Sequence, residues 1–288
     1  MIVGAGLIAH TPIIMLPESV RRELNNGADS TLPDGLFRLR REVLDGLQPE
    51  TIIVFDTHWF TTIEFIVAAH ASREGLFTSD ELPRSMSQIP YSFRGDPELA
   101  RAFANTAADR DDAWITPIDD PHLPIHYPTV NLLAYLQSPE VNELWMSVGV
   151  CQTAEMDDFL LVGELLAEAI AATGRRTVLL ASGGLSHRFW PLRQQRAHEA
   201  ADPRHVISEG ARAADERIIE LWESGEHAAV IDGYPEYSAA HKPEGRFGHY
   251  LMMVGALGGR RCTAKGRLFS EYENSAGTGQ AHVWFDLA

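Results

Sequence analysis

Few cysteines, no long apolar run and no excess of basic charge narrow the classes to which this chain can belong. Its two cysteines, Cys151 and Cys262, do not make a disulfide framework or a thiolate metal site. No apolar stretch is long enough to span a bilayer. The net charge of −16, from 24 basic and 40 acidic residues, argues against nucleic acids and anionic membranes as partners. The net charge does not exclude a small anionic substrate, because one arginine or metal ion in the site attracts it more strongly than distant surface charges repel it.

The N-terminus lacks the basic region of a signal peptide and enters a strand directly. We therefore expect a cytoplasmic protein. With 288 residues, of which 45% are hydrophobic, the chain can bury a sizeable core. It carries no internal repeat, low-complexity tract or linker. These features predict one domain over residues 1–288.

The order of strand and helix patterns indicates the fold class. Residues 2–9 and 51–55 are apolar and predict strands, while residues 34–47 have helical spacing after Asp34 as N-cap. A strand, a helix and a strand over this length form a crossover unit, which implies a parallel sheet. We predict an α/β domain with a mainly parallel central sheet flanked by helices and an active site at the strand ends. Further helices are expected over 96–108, 129–135, 157–173, 209–225 and 250–258, further strands over 63–70, 143–150 and 281–287, and loops over 17–35, 75–95 and 232–249.

Three predicted strands lead to a histidine. His10 follows the first strand, His58 follows the run 51–55, and His187 follows a strand and a Ser-Gly-Gly turn. Active sites of parallel α/β proteins lie at the carboxyl ends of the strands, since the sheet fixes the backbone there and the following loop exposes the side chain. Three such histidines in one chain favour an active site over three independent loop caps.

Strand-terminal histidines are candidate ligands for a divalent metal, and charge and geometry then require a carboxylate. Two histidines and one carboxylate on one face form the arrangement of non-haem Fe(II) sites, with positions left for substrate and dioxygen. Zinc in a hydrolase is the rival, and the residues alone do not separate the two. The best carboxylate candidate is Glu244, which lies between Pro243 and Gly245 in a loop before an apolar helix.

Four motifs together resemble a known family. They are Ala-His10-Thr-Pro, Phe-Asp-Thr-His58-Trp, Ser-Gly-Gly-Leu-Ser-His187-Arg and Pro-Glu244-Gly, in this order. The order is similar to that of the class III extradiol ring-cleavage dioxygenases, the superfamily of the protocatechuate 4,5-dioxygenase catalytic subunit. Within that superfamily the chain looks most like the 3,4-dihydroxyphenylacetate (homoprotocatechuate) 2,3-dioxygenase branch. The stretches 77–83, 95–99 and 275–280 support that branch, and the resemblance spans essentially the whole chain.

The resemblance implies a role for each motif histidine. His10, His58 and Glu244 correspond to the Fe(II) ligands, and His187 to the acid/base histidine beside the open coordination sites. His126 falls near a second active-site histidine of the family. Its motif here, Ile-His-Tyr-Pro, departs from the family's Asp-His-Gly, so His122 competes for the place.

The expected function is therefore Fe(II)-dependent extradiol cleavage of a catechol-type ring resembling 3,4-dihydroxyphenylacetate, in aromatic compound catabolism. Its partners would be a small aromatic diol and dioxygen, without organic cofactor, nucleic acid or membrane, and the protein would be a homo-oligomer. Protocatechuate, 2-aminophenol or a dihydroxypyridine are alternative substrates. A zinc-dependent DOPA-dioxygenase-like enzyme is a further alternative. A non-catalytic partner subunit is disfavoured, because all four motif positions are intact.

Overall fold

A ten-stranded mixed sheet forms the centre of the molecule. The computed structural model describes residues 1–138 and 140–287. The strands are β1 (Ile2–Ile8), β2 (Thr51–Thr61), β3 (Phe65–Ala68), β4 (Ser72–Phe77), β5 (Ile89–Arg94), β6 (Ile115–Ile118), β7 (Leu144–Cys151), β8 (Thr177–Ser182), β9 (Lys265–Leu268), β10 (Glu273–Ser275), β11 (Thr278–Gln280) and β12 (His282–Asp286). The main path runs β4-β5-β7-β2-β8-β1-β12-β9. Off this path β3 pairs with β7 and β6 pairs with β3, and β10 and β11 form a separate hairpin.

The middle of the sheet is parallel. Strands β7, β2, β8 and β1 are neighbours, and each adjacent pair among them is parallel. Antiparallel pairs lie towards the edges, where β12 joins β1 and β9 joins β12. The carboxyl ends of β1, β8 and β2 consequently meet at one edge. The predicted α/β class with a mainly parallel central sheet is confirmed.

Helices cover both faces of this sheet. They are α1 (Glu18–Leu24), α2 (Leu32–Leu39), α3 (Asp45–Leu47), α4 (Pro97–Asn105), α5 (Tyr127–Leu136), α6 (Met156–Thr173), α7 (Glu209–Ser224), α8 (His227–His241) and α9 (Gly248–Ala256). A π-helical turn, Arg40–Leu44, joins α2 to α3. Within the described ranges 1–138 and 140–287, none of these helices combines the length and apolar character that crossing a membrane requires.

Alternate residues of the central strands enter two separate cores. Ile52 and Val54 of β2 pack with α2 and α5, whereas Ile53 and Phe55 pack with α4, α6 and α9 on the other face. Strand β8 alternates in the same way. The prediction of a doubly buried strand over 51–55 is therefore correct, and burial on both faces explains why its sequence is continuously apolar.

Local capping sets several helix ends where the sequence predicts them. The Asp96 side chain accepts a hydrogen bond from the Leu99 amide, and Pro97 takes the first turn of α4. Helix α6 begins with a capping box between Glu155 and Asp158 and ends at Gly174 in the left-handed conformation, at φ +70°.

Three predicted loops contain regular structure instead. The loop expected over 17–35 holds α1 and the start of α2, and the irregular region expected over 75–95 contains β5. The loop expected over 232–249 is largely α8, which continues through Pro235. Proline normally breaks a helix because it lacks the amide hydrogen. Here the buried face of Val230, Ile231 and Tyr234 outweighs that local preference.

Candidate metal centre and active-site cavity

Three neighbouring strands bring the strand-end histidines to one place. His10 lies just beyond β1, His58 lies near the end of β2, and His187 follows the Gly-Gly turn after β8. Because β8 lies between β2 and β1, the three side chains reach the same edge of the sheet. Glu244 comes from a different part of the chain, at the start of the 3₁₀ turn Glu244–Phe247 between α8 and α9.

An irregularity in β2 presents His58. The strand was expected to end at residue 55, but it continues to Thr61 with a break in its pairing to β7 between Asp56 and Phe60. The carboxylate of Asp56 accepts hydrogen bonds from the amides of His58 and Trp59, at 3.1 and 3.2 Å. Asp56 thus supports the bulge that turns His58 out of the sheet.

His10, His58 and Glu244 form a compact set of donor atoms. One nitrogen of each histidine and one carboxylate oxygen all lie within 4.8 Å of one another. Nε2 of His10 is 3.0 Å and Nε2 of His58 is 3.2 Å from Oε1 of Glu244. Two imidazoles and one carboxylate are a donor set suited to a divalent transition metal. The residues present therefore fit a metal ion.

Further hydrogen bonds hold these three side chains in place. Nδ1 of His10 pairs with the Ser182 hydroxyl at 2.9 Å. The Thr57 hydroxyl donates to Oε1 of Glu244 at 2.7 Å, and the Gly184 amide donates to Oε2 at 2.6 Å. A side chain at Gly184 would collide with the carbonyl of Gly279, since its Cβ would lie 2.7 Å from that oxygen. This outer layer fixes the orientation of the donors.

The electrostatics of the cluster favour a positive charge. Burial opposes the charged form of His58, but hydrogen bonds to Glu244 and Glu81 raise its pKa to about 10. Burial likewise opposes ionisation of Glu244, yet His10 and His187 hold the pKa of this carboxyl well below its usual range. The set thus offers an ionised carboxylate and a nitrogen with strong affinity for a proton. A metal ion and a proton compete for such a site.

His187 lies at the side of this cluster. Its Nε2 is 3.7 Å from Oε2 of Glu244, beyond hydrogen-bonding distance. Its amide donates to the carbonyl of His241 at 3.1 Å, which ties the loop after β8 to the end of α8. Burial lowers the pKa of His187 below its ordinary value. A neutral imidazole beside the metal donors is placed to accept a proton.

Two residues that the sequence analysis did not select also contact His58. The Tyr127 phenol lies 2.5 Å from its Nε2, and the Glu81 carboxylate lies 3.0 Å from its Nδ1. Tyr127 directly follows His126 at the start of α5, so the polar pair before Pro128 is the signal that could have identified it. Glu81 has no such signal, because it is one acidic residue in an irregular loop.

The structure does not bring His126 into this group. Its ring stacks on Trp59 at a centroid distance of 6.0 Å, and it does not line the cavity at the donor cluster. Within residues 1–138 and 140–287, no group forms a hydrogen bond with its Nε2. The alternative, His122, is exposed at the protein surface. Tyr127, the next residue in the chain, instead lies beside His10 and His58.

A cavity of about 760 Å³ opens from the donor cluster to the surface. His10, His58, Tyr127, His187 and Glu244 line its inner end. The outer part is formed by the loop around residues 81–85 and by residues 189–199. Neither Arg188 nor Arg246 lines it, and Arg246 instead donates to the carbonyl of Gln152. Any substrate carboxylate in this cavity would meet other arginines.

Comparisons with known proteins find a matching family and several similar sequences. A family model described as the catalytic LigB subunit of aromatic ring-opening dioxygenase matches residues 4–286. The 3,4-dihydroxyphenylacetate 2,3-dioxygenase of Escherichia coli is 29% identical over 254 residues, which cover 88% of this chain and 89% of that protein. The alpha and beta subunits of 2-aminophenol 1,6-dioxygenase from Pseudomonas sp are each 25% identical, over 85% and 87% of this chain and 87% and 82% of their own lengths.

A solved structure shares the fold. The crystal structure of an uncharacterized protein from Escherichia coli K12 superposes with a TM-score of 0.60 at 16% identity, covering 88% of this chain and 91% of that one. At this identity the likeness concerns the architecture alone.

Proposed function

Since the chain belongs to the family of catalytic LigB subunits of aromatic ring-opening dioxygenases, we propose for it a ferrous-iron centre and a catechol-type substrate. The resemblance drawn from the four motifs is confirmed by this family match. The protein is an extradiol ring-cleaving dioxygenase, an oxidoreductase that acts on an aromatic compound and dioxygen. We further propose that residues 1–288 form one catalytic domain that works in aromatic compound catabolism.

The convergence of His10, His58 and Glu244 within 4.8 Å at the end of a deep cavity supports the iron centre. Two histidines and one carboxylate are the protein ligands of the non-haem Fe(II) oxygenases, and they leave other coordination positions free. We assign these three residues as the ligands. Ferrous iron would supply the redox chemistry with dioxygen that no side chain can provide.

The remaining residues prepare the substrate. His187 is partly buried, and burial lowers its pKa below the ordinary 6.5, so the neutral imidazole can take a proton from a ring hydroxyl and later return it. The phenol of Tyr127 lies beside the donor nitrogen of His58 and can donate to a substrate oxygen. Glu81 holds Nδ1 of His58 and keeps its Nε2 directed at the centre. In this proposal His126 does not contact the substrate, because it does not line the cavity.

We propose a substrate that resembles 3,4-dihydroxyphenylacetate in its diol. The Escherichia coli relative acts on that compound by name, and its match extends over most of both chains. An aminophenol is the alternative substrate, because two Pseudomonas relatives are named for 2-aminophenol. The homo-oligomeric state and the cytoplasmic location stay predictions from the sequence.

Anaerobic reconstitution tests this function. Protein loaded with ferrous iron is mixed with a catechol without oxygen, and oxygen is then admitted while the yellow ring-opened product is followed. We expect product only when iron, substrate and oxygen are all present. Peroxide should abolish activity and ferrous iron with ascorbate should restore it. Activity of a zinc-only preparation, together with insensitivity to peroxide, would overturn the iron assignment.

A further inference from the structure

The cavity is larger than a single ring needs. Its volume of about 760 Å³ lies within the range of roughly 300–1,000 Å³ found for sites that hold drug-sized ligands. The diol of a catechol must lie at the inner end, next to His10, His58 and Glu244. A catechol with a short substituent would leave the outer part of the cavity to solvent.

Apolar side chains line the route outward. Ile13, Leu82, Phe189 and Leu192 belong to the cavity wall. Phe189 is 56% and Leu192 is 89% exposed. Their apolar surface therefore contributes little to folding stability, because it stays in contact with water. The Phe189 ring makes an edge contact with His187 at a centroid distance of 4.7 Å, so the apolar surface begins at the reacting end. Phe189 and Leu192 share the cavity wall with the donor cluster, so an apolar part of a ligand bound there would cover them.

Unpaired positive charge lies at the outer end. Three arginines line the cavity, and Arg84 is already paired with Glu199. Throughout the described ranges, 1–138 and 140–287, neither Arg193 nor Arg196 forms an ion pair or a side-chain hydrogen bond. The other acidic residues of the wall are engaged, since Glu81 bonds to His58 and Glu244 bonds to His10. In a protein with a net charge of −16, two unpaired guanidinium groups at one opening create a local site for an anion.

We propose that the substrate is an elongated catechol, with an apolar arm that lies on Leu82, Phe189 and Leu192 and ends in a carboxylate bound by Arg193 and Arg196. The proposal rests on the proposed function, because it takes the diol to lie at the donor cluster. A guanidinium binds a carboxylate through two parallel hydrogen bonds, which makes arginine suited to this task. Arg193 and Arg196 are then the residues that determine specificity.

The test compares four ligands on iron-loaded, full-length protein. They are unsubstituted catechol, 3,4-dihydroxyphenylacetate, a catechol with a six-carbon chain ending in a carboxylate, and the primary amide of that long acid. Affinity is measured anaerobically by calorimetry, and kcat/KM is measured after oxygen is admitted. We expect the long acid to exceed 3,4-dihydroxyphenylacetate by at least about tenfold, since each fully buried methylene contributes roughly fourfold. The amide should fall about tenfold below the long acid, because it loses the charge-assisted hydrogen bonds.

A double variant, Arg193→Gln with Arg196→Gln, separates the anion site from general surface charge. We expect the preference for the long acid over its amide to disappear in this variant. Arg41→Gln is the matched control, because Arg41 is exposed and lies outside the cavity. It should keep the full preference.

The outcomes are distinguishable. Equal affinity of the long acid and its amide, or a preference that survives in the double variant, would overturn this proposal while leaving ring cleavage intact. Tight binding of the long acid without any ring opening would support the anion site and count against the proposed function instead.

Discussion

The phenol oxygen of Tyr127 lies 2.5 Å from Nε2 of His58, and the same nitrogen lies 3.2 Å from Oε1 of Glu244. One imidazole nitrogen therefore contacts both the Tyr127 phenol and the Glu244 carboxylate, which completes the donor set. A metal ion bound to that nitrogen would take its lone pair. The Tyr127 hydroxyl would then be free for another partner in the cavity, and the nearest space is that of the substrate diol.

Replacing Tyr127 with phenylalanine should separate these roles. We expect Tyr127→Phe to retain close to the wild-type iron content, because the phenol is not among the three donors. Loss of a hydrogen bond to a charged oxygen, worth about 1.5–3 kcal/mol, should lower kcat/KM by roughly 10- to 100-fold. Tyr91→Phe on β5, which lies between β4 and β7 and does not line the cavity, is the control and should match the wild type. Iron loss in Tyr127→Phe would instead make the phenol part of the metal site.

The metal assignment predicts the behaviour of two alanine variants. Wild-type protein should retain about one iron per chain, measured by metal analysis after desalting. His10→Ala and His58→Ala should each lose it, since each histidine is one of only three proposed protein ligands. His122→Ala removes an exposed histidine and should retain the iron. Full iron and full activity in His58→Ala would contradict the assignment of the site.

A Glu81 variant tests how much the hydrogen-bond partners of the proposed ligands contribute to metal binding. Its carboxylate is 3.0 Å from Nδ1 of His58, so it supports that ring from the side opposite the donor nitrogen. Loss of such a partner typically reduces metal affinity about 10- to 100-fold. Since the Glu81 side chain is half exposed, we expect Glu81→Gln to show the lower end of this range in a competition with a metal chelator. Asp80→Asn removes the same charge one residue away, and an equal effect in both variants would reduce the role of Glu81 to general electrostatics.

The strands that carry the site were predictable because burial on both faces leaves a simple pattern. The run 51–55 is apolar on both sides of the pleat, and the first polar residues after it mark its exit from the sheet. The same reasoning located the positions of His10 and His187. Their convergence follows from the parallel order β2-β8-β1, which a crossover unit implies but whose neighbours the sequence does not specify.

Other parts of the site depend on contacts that no local pattern encodes. Glu81 reaches His58 only because an irregular loop folds back over the cavity. Helix α8 runs through Pro235 because tertiary packing overrides a local preference, and its end then places Glu244. His126 was selected by its place in the motif order, yet the start of α5 turns Tyr127 inward and stacks His126 on Trp59.

The raised pKa of Asp215 leads us to expect that the folded protein loses stability as the pH rises. This buried carboxyl accepts hydrogen bonds from the hydroxyls of Ser186, Tyr237 and Tyr272, but burial dominates and raises its pKa from 3.8 to about 6. The folded state therefore binds a proton more strongly than the unfolded state between these values. Its contribution to the free energy of unfolding is full below pH ~4 and is lost as the pH rises to ~6, by about 1–3 kcal/mol.

Asp215→Asn isolates that contribution, because the amide cannot ionise. Urea unfolding of wild type and variant at pH 4.5 and 6.5 gives the difference in stability at each pH. We expect the wild type to lose about 1–3 kcal/mol relative to Asp215→Asn between the two values. A difference that is independent of pH, or one that grows in favour of the wild type as the pH rises, would show that Asp215 is ionised throughout.

Variants of His187 distinguish two roles for this histidine, as a metal ligand or as a proton acceptor. Its Nε2 is 3.7 Å from Glu244, and it is tied through its amide to α8 rather than to the donor set. We expect His187→Gln and His187→Phe to keep nearly full iron and to bind catechol, while kcat falls by at least about 100-fold. His122→Gln should behave as the wild type.

The pH profile of kcat gives the same test a second readout. A proton acceptor must be neutral, and burial lowers the pKa of His187 below its ordinary 6.5. Activity should therefore persist below that value and then fall as the histidine becomes protonated, and this acidic limb should vanish in His187→Gln. Iron content and turnover are measured on one preparation. Loss of iron would make His187 a ligand, and undiminished turnover would remove it from the mechanism, so retained iron with lost turnover and a lost acidic limb is the result that a proton acceptor requires.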